Sequence, residues 1–238
     1  MIFNLGSINI DHFYRVPHLP APGETLAASG YAMGLGGKGA NQSAAAAKAG
    51  AKVAHIGAVG AEGVWARDRL QGWGVNVDHV AVIDGPSGHA IINVDDGGEN
   101  NIVLFPGANR AMPFELVERA LAGASAGDLL ILQNETAHQA EAAALAQAKG
   151  MQVIYSAAPF DVAAVRAVLG QVTVLALNAV EAEQLCAALG CGLDRIEVPE
   201  ILVTRGAQGA EWHSRAGGHA AAAALKVAAV DTTGAGDT

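Results

Sequence analysis

Cysteine, positive charge and uninterrupted apolar runs are all scarce in this chain of 238 residues. The two cysteines, Cys186 and Cys191, sit among alanine and leucine without a second ligand pair. That argues against a disulfide framework and against a cysteine-ligated metal site, and predicts reduced, buried thiols in a cytoplasmic protein. Fourteen Lys and Arg stand against 23 Asp and Glu. The formal charge of −9 repels nucleic acid and anionic membrane surfaces, so neither is an expected partner, and a polyanionic ligand must be caught by local dipoles. Mean hydropathy is +0.28, yet the most apolar low-complexity stretch, residues 219–230, is mostly alanine and is broken by Lys226. No transmembrane helix is predicted. The opening run MIFNLGSINID lacks a basic segment and is interrupted by Asn4, Ser7 and Asn9, unlike a secretory signal.

Apolar residues make up 51% of the chain and charged ones 16%, which excludes a disordered chain and is ample for a large core. Glycine is abundant at 30 residues, nearly double the usual share of about 7%. With no collagen-like period, that excess must serve turns and close backbone approaches.

Short apolar runs alternate with alanine-rich helical segments, which predicts an α/β fold with a mostly parallel sheet flanked by helices. Strands are expected at residues 2–8, 52–59, 76–83, 129–132, 152–155, 172–175 and 200–203, and helices at 41–48, 63–71, 113–122, 137–148, 162–169 and 179–189. Two stretches break the alternation. Residues 11–34 hold three prolines and no helical period, and HAIINV and NNIVLF flank Asp95-Asp96-Gly97-Gly98 as a hairpin. The expected organisation is an α/β core (residues 1–10, 36–86 and 108–238) with a small β-sheet lid (11–35 and 87–107).

Two glycine loops draw attention. Gly34-Leu35-Gly36-Gly37-Lys38-Gly39 satisfies G-x-G-x-x-G, but it does not directly follow the first strand as a dinucleotide fingerprint must. Ala32 stands where a P-loop ending in Lys38 needs its first glycine. What remains is a backbone-exposing loop with polar groups at Lys38 and Asn41, or a plain turn. The second loop is Asp231-Thr232-Thr233-Gly234-Ala235-Gly236-Asp237-Thr238. Small residues before a helix expose N–H groups that cradle an oxyanion without net positive charge, and Asp237 beside them can accept a proton. A capping Asp after a flexible loop is the plainer alternative.

GSINIDH at 6–12, PGET at 22–25, GGKGANQ at 36–42, GANR at 107–110, Asn178 to Glu181 and DTTGAGDT at 231–238 together resemble the ribokinase-like, or PfkB, family of carbohydrate kinases. The order and spacing match from end to end, and GSINIDH with GGKGANQ is most similar to its ribokinase branch. The resemblance implies an ATP-dependent sugar kinase acting on a primary hydroxyl of ribose or a similar furanose. It assigns the sugar to Asn9, Asp11, Gly37, Lys38, Asn41 and Glu135. It assigns the anion hole to Gly234, Ala235 and Gly236, with Asp237 as general base. Asn178, Thr204, Gly206 and Gly209 resemble nucleotide contacts, Glu181 a magnesium contact through water, and Asp231 and Thr233 ligands of a monovalent cation such as potassium. Apart from the resemblance, the hairpin around Asp95 to Asn101 is too short to bury both faces alone, so its apolar face is expected to pack on a second subunit as a homodimer through the lid, or to close over bound sugar.

The sequence departs from the family where Ser156-Ala157-Ala158-Pro159 replaces N-P-A and Gly60-Ala61-Glu62 replaces G-x-D. Family members also continue beyond the position of Thr238. A non-catalytic sugar or nucleoside binder, a truncated fragment, or a kinase for fructose or a nucleoside are the alternative expectations.

Overall fold

The computed structural model describes residues 1–226 and 234–237. In chain order the strands are β1 (Ile2–Leu5), β2 (Asn9–Arg15), β3 (Gly30–Gly36), β4 (Val53–Val59), β5 (Asn76–Val82), β6 (Gly88–Val94) and β7 (Asn100–Phe105). After them come β8 (Leu129–Gln133), β9 (Gln152–Ser156), β10 (Val174–Asn178), β11 (Glu200–Thr204), β12 (Ala210–Ser214) and β13 (His219–Ala222). The helices are α1 (Lys38–Lys48), α2 (Val64–Gly72), α3 (Ala108–Ala111), α4 (Glu115–Leu121), α5 (Gln139–Ala148), α6 (Val162–Val168) and α7 (Ala179–Leu189).

Nine strands form one sheet in the order β13-β12-β11-β10-β9-β8-β1-β4-β5, parallel from β11 to β5 and antiparallel at β12 and β13. The expected α/β fold with a mostly parallel sheet is what the chain adopts. β1 has β4 on one side and β8 on the other, so the chain order reverses there. Ligands of open α/β sheets bind in the crevice at such a switch point, beyond the carboxyl ends of the strands. The main apolar core packs Phe3, Leu5, Ile56, Leu130, Leu132 and Leu175 against α4, α5, α6 and α7. A second core joins Val53 and Val59 to Ala44 of α1 and Leu70 of α2.

The remaining strands form a separate sheet, β3-β2-β6-β7, in which β2 and β6 are parallel and the other pairs antiparallel. The small β-sheet expected beside the core is therefore present. Its outer strand β7 is exposed along its whole length. Among the described residues no helix is long and apolar enough to cross a membrane.

Several boundaries differ from the sequence reading. The strand expected over residues 2–8 ends at Leu5, and the chain reaches β2 only after Gly6, Ser7 and Ile8. The cause is a close approach: a Cβ on Gly6 would lie 2.4 Å from the Cα of Gly39, so the first turn of α1 is pressed against this break. Helix α1 starts at Lys38 rather than Asn41, because Gly37 (φ 95°) turns the chain directly into it. β10 runs two residues later than expected. The alanine-rich stretch after Gly218 supplies β13.

Candidate functional site

The carboxyl ends of β1 and β8 and the first turn of α1 converge on one polar cluster. Ser7, just past β1, donates a short hydrogen bond to Glu135 Oε2, just past β8. The same oxygen accepts the Lys38 N–H at 3.1 Å, so Glu135 satisfies one of the unpaired N–H groups at the start of α1. Ser7 Oγ also accepts the Gly39 N–H at 3.3 Å. Glu135 thus joins two strands and a helix.

Asn9 is buried, and its Oδ1 accepts from Asn109 Nδ2 at 2.8 Å while Asn109 Oδ1 accepts the Ile8 N–H at 3.0 Å. Two residues along β2, Asp11 is half-buried. Burial, with the Glu135 charge as a smaller cause, pushes its carboxyl up to about 6. Gly37 has no room for a side chain, since a Cβ there would lie 2.7 Å from the Ser7 carbonyl oxygen.

The last described residues return to this cluster. Asp237 N–H closes a turn on the Gly234 carbonyl oxygen at 2.9 Å. Its carboxylate receives Lys38 Nζ at 3.2 Å on Oδ1 and Asn41 Nδ2 at 3.0 Å on Oδ2. A Cβ on Gly234 would lie 2.9 Å from Asn41 Nδ2, so glycine lets this turn lie directly on α1.

On its other side Asp237 borders a small cavity lined by Lys38, Ser156, Asn178, Glu181, Thr204 and Gly236, among others. Asn178 and Glu181 form a capping box at the start of α7: Asn178 Oδ1 accepts the Glu181 N–H at 2.9 Å and Glu181 Oε2 accepts the Asn178 N–H at 2.8 Å. The two residues therefore cap α7 and face the cavity at once. Gly206 (φ 53°) and Gly209 (φ 102°) shape the turn from β11 into β12 and do not line this cavity.

The structure thus brings Asn9, Asp11, Gly37, Lys38, Asn41, Glu135, Gly234 and Asp237 together, and joins Asn178, Glu181, Thr204 and Gly236 to them across Lys38 and Asp237. Ala235 lies within the same turn. Asp231 and Thr233 lie outside the described residues. Sequence reasoning gave no role to Ser7 or Asn109, although both fall inside quoted motifs. It also missed a buried network beneath the cluster. Asn4 Nδ2 donates to Ser43 Oγ and to the Gly39 carbonyl, each at 2.9 Å. His55 links Ser43 (2.8 Å) to the Gly6 carbonyl (3.0 Å), and complete burial pushes this imidazole down to about 4, so it is neutral. Alternating polar residues within apolar strands, Asn4 in β1 and His55 in β4, were the available signal.

The chain matches the pfkB family of carbohydrate kinases over residues 1–238. It is 34% identical over 250 residues to a ribokinase of Haemophilus influenzae, covering 98% of this chain and 81% of that protein. It is 36% identical over 258 residues to a ribokinase of Schizosaccharomyces pombe, with the same coverage of 98% and 81%. Its fold is similar to that of Arabidopsis thaliana ribokinase complexed with ribose and ATP, with a TM-score of 0.83, 28% identity, and 99% of this chain and 82% of that one covered. The two glycine loops that were ambiguous in isolation meet at Lys38, Asn41 and Asp237, the motifs run in family order, and the match extends from the first residue to the last. On these grounds the chain belongs to the pfkB family of carbohydrate kinases.

Proposed function

We propose that the protein is an ATP-dependent kinase that transfers the γ-phosphoryl group to a primary hydroxyl of ribose or a similar furanose. The observation that carries this reading is the position of Asp237. Its carboxylate is shared between the polar cluster at the β1–β8 switch point and the cavity lined by Asn178, Glu181 and Thr204. A sugar held in the first and a triphosphate in the second meet at that carboxylate. Support also comes from the two ribokinases named above and from the ribokinase solved with ribose and ATP, all of which this chain resembles.

Asn9, Asp11, Asn41 and Glu135 bind and orient the sugar hydroxyls, and Gly37 keeps the backbone close. Lys38 and Asn41 hold Asp237 with two hydrogen bonds, and its remaining lone pairs accept the proton of the attacking hydroxyl. The turn at Gly234, Ala235 and Gly236 lies beside that carboxylate and stabilises charge on the transferring phosphoryl group through backbone N–H groups. Positioning and electrostatics do most of the work.

The donor set fits magnesium: Glu181 is anchored through Oε2 at the start of α7 and lines the cavity, offering a hard oxygen that would hold the ion through water. When bound with the nucleotide, the ion offsets charge on the phosphates. The monovalent-cation contacts expected at Asp231 and Thr233 lie outside the described residues and enter no step. Cys186 and Cys191 are free thiols, in keeping with a cytoplasmic enzyme.

The test is a panel of ribose, 2-deoxyribose, fructose and nucleosides assayed for ATP-dependent phosphorylation. Ribose or a close furanose should be turned over with the highest kcat/KM. Binding of ribose without any phosphorylation would instead leave a sugar binder.

A further inference from the structure

The geometry points to a second ligand site, unrelated to the kinase cluster: Glu211, His213 and His219 on the edge hairpin form a three-ligand site for one divalent transition-metal ion of the zinc type. His213 and His219 stand directly opposite each other across the antiparallel pair β12–β13, with ring centroids 4.9 Å apart. Glu211 lies two residues before His213, on the same face of β12, because side chains alternate along a strand. One ligand atom from each of the three lies within 4.8 Å of the others.

One pair already has the spacing a metal requires. Glu211 Oε2 is 3.4 Å from His213 Nε2, and ligands on a tetrahedral zinc, at about 2.0–2.1 Å from the ion, stand roughly 3.4 Å apart. His213 Nε2 is shielded from solvent and makes no hydrogen bond among the described residues. An imidazole nitrogen so placed can be given to a metal ion without breaking a hydrogen bond.

Arg205 holds the carboxylate from its other side, with Nε 2.8 Å from Oε1 and Nη2 donating to Oε2 at 3.0 Å. It orients the glutamate in the way outer partners orient metal ligands. Two imidazoles and one carboxylate favour zinc, nickel or copper over magnesium, whose preference is for oxygen alone. All three ligands sit on paired strands, so the site is built on rigid backbone. The fourth position is left to water.

The experiment is a calorimetric titration of the full chain with Zn2+ in excess Mg2+, which occupies oxygen-only sites, beside a Co2+ titration read by its visible absorption. Wild type should take up one zinc that His219→Ala and Glu211→Gln bind more weakly by at least about tenfold, the lower end of what even an outer-sphere partner contributes. The cobalt bands should fade in the same variants. His219 is exposed, so its replacement leaves the fold intact, and a circular dichroism melt verifies this. Zinc should also raise the melting temperature of wild type but not of His219→Ala. Equal zinc affinity and stoichiometry in wild type and both variants, or no uptake by wild type, would overturn the site. None of these outcomes depends on kinase activity.

Discussion

Asp11 in β2 lies so close to Gly36 at the end of β3 that a Cβ on Gly36 would stand 2.0 Å from Asp11 Oδ2. The carboxylate is short and cannot swing away without leaving the cluster. Gly36→Ala should therefore displace Asp11 while the rest of β3 stays paired. Such overpacking costs about 1–3 kcal/mol. We expect a weaker affinity for ribose by calorimetry, with a small fall in melting temperature and little change in ATP affinity. Unchanged ribose affinity in a folded Gly36→Ala protein would remove Asp11 from the sugar contacts.

Asp11 also predicts a pH dependence. Its carboxyl titrates at about 6 in the folded protein against 3.8 ordinarily. The folded state therefore binds this proton more tightly than the unfolded chain. Raising the pH from about 4 to about 6 ionises the group at a cost to native stability, and the loss levels off above 6. Sugar binding runs the other way, because the ionised carboxylate is the stronger hydrogen-bond acceptor. Ribose affinity should rise as pH passes upward through about 6, and Asp11→Asn should flatten that rise. Isothermal titrations at pH 5, 6 and 7.5 would show it.

His55 carries the opposite stability trend. It titrates at about 4 when folded and near 6.5 ordinarily. The unfolded chain takes up a proton first, so the contribution of His55 is fully present above 6.5 and is lost as pH falls toward 4. His55→Phe should remove this acid sensitivity. It also strips partners from Ser43 and the Gly6 carbonyl, at about 1–3 kcal/mol for each buried group left unmatched. Urea unfolding at pH 7.5 and pH 5 should show a destabilised variant whose deficit narrows in acid.

The parallel core was legible because helix and strand periods differ, and α7, for example, falls on the expected residues 179–189. Tertiary contact hid the rest. Nothing local marks the break after Leu5, which follows from Gly6 meeting Gly39 more than thirty residues away. β13 is alanine-rich and owes its strand form to pairing with β12, so its composition carries little strand signal. At the site, Lys38 and Asn41 of one glycine motif meet Asp237 of the other, a contact that neither motif alone specifies. Glu135 also supports α1, an element almost a hundred residues upstream, and no spacing in the sequence links the two. Hydrogen bonds such as Asn9 to Asn109 join distant motifs and leave no spacing to read.

The small sheet predicts an association state. Tyr31, Met33, Val103 and Phe105 are exposed large apolar side chains on β3 and β7, and Tyr31 is 58% and Val103 66% accessible. An exposed apolar face of this kind marks a contact surface. We expect a homodimer through the lid. Light scattering should report twice the chain mass for wild type and the single chain mass for Val103→Asp. A monomeric wild type with ribose present would leave only closure of the lid over its own sugar.

Asp237 is the general base proposed above. Its carboxylate is held by Lys38 at 3.2 Å and Asn41 at 3.0 Å, in a position bordered by both ligand regions. Asp237→Asn preserves size and most of the hydrogen bonding but cannot take up a proton. If the carboxylate is the general base, kcat should fall by about 10²- to 10⁴-fold. Ribose affinity should stay within a few-fold, because the sugar contacts at Asn9, Asp11 and Glu135 are untouched. Lys38→Met separates the two contributions: it removes the cation beside the base and should lower kcat while also weakening ATP binding. An Asp237→Asn enzyme with near wild-type turnover would sink the general-base role and leave the cluster as a binding site alone.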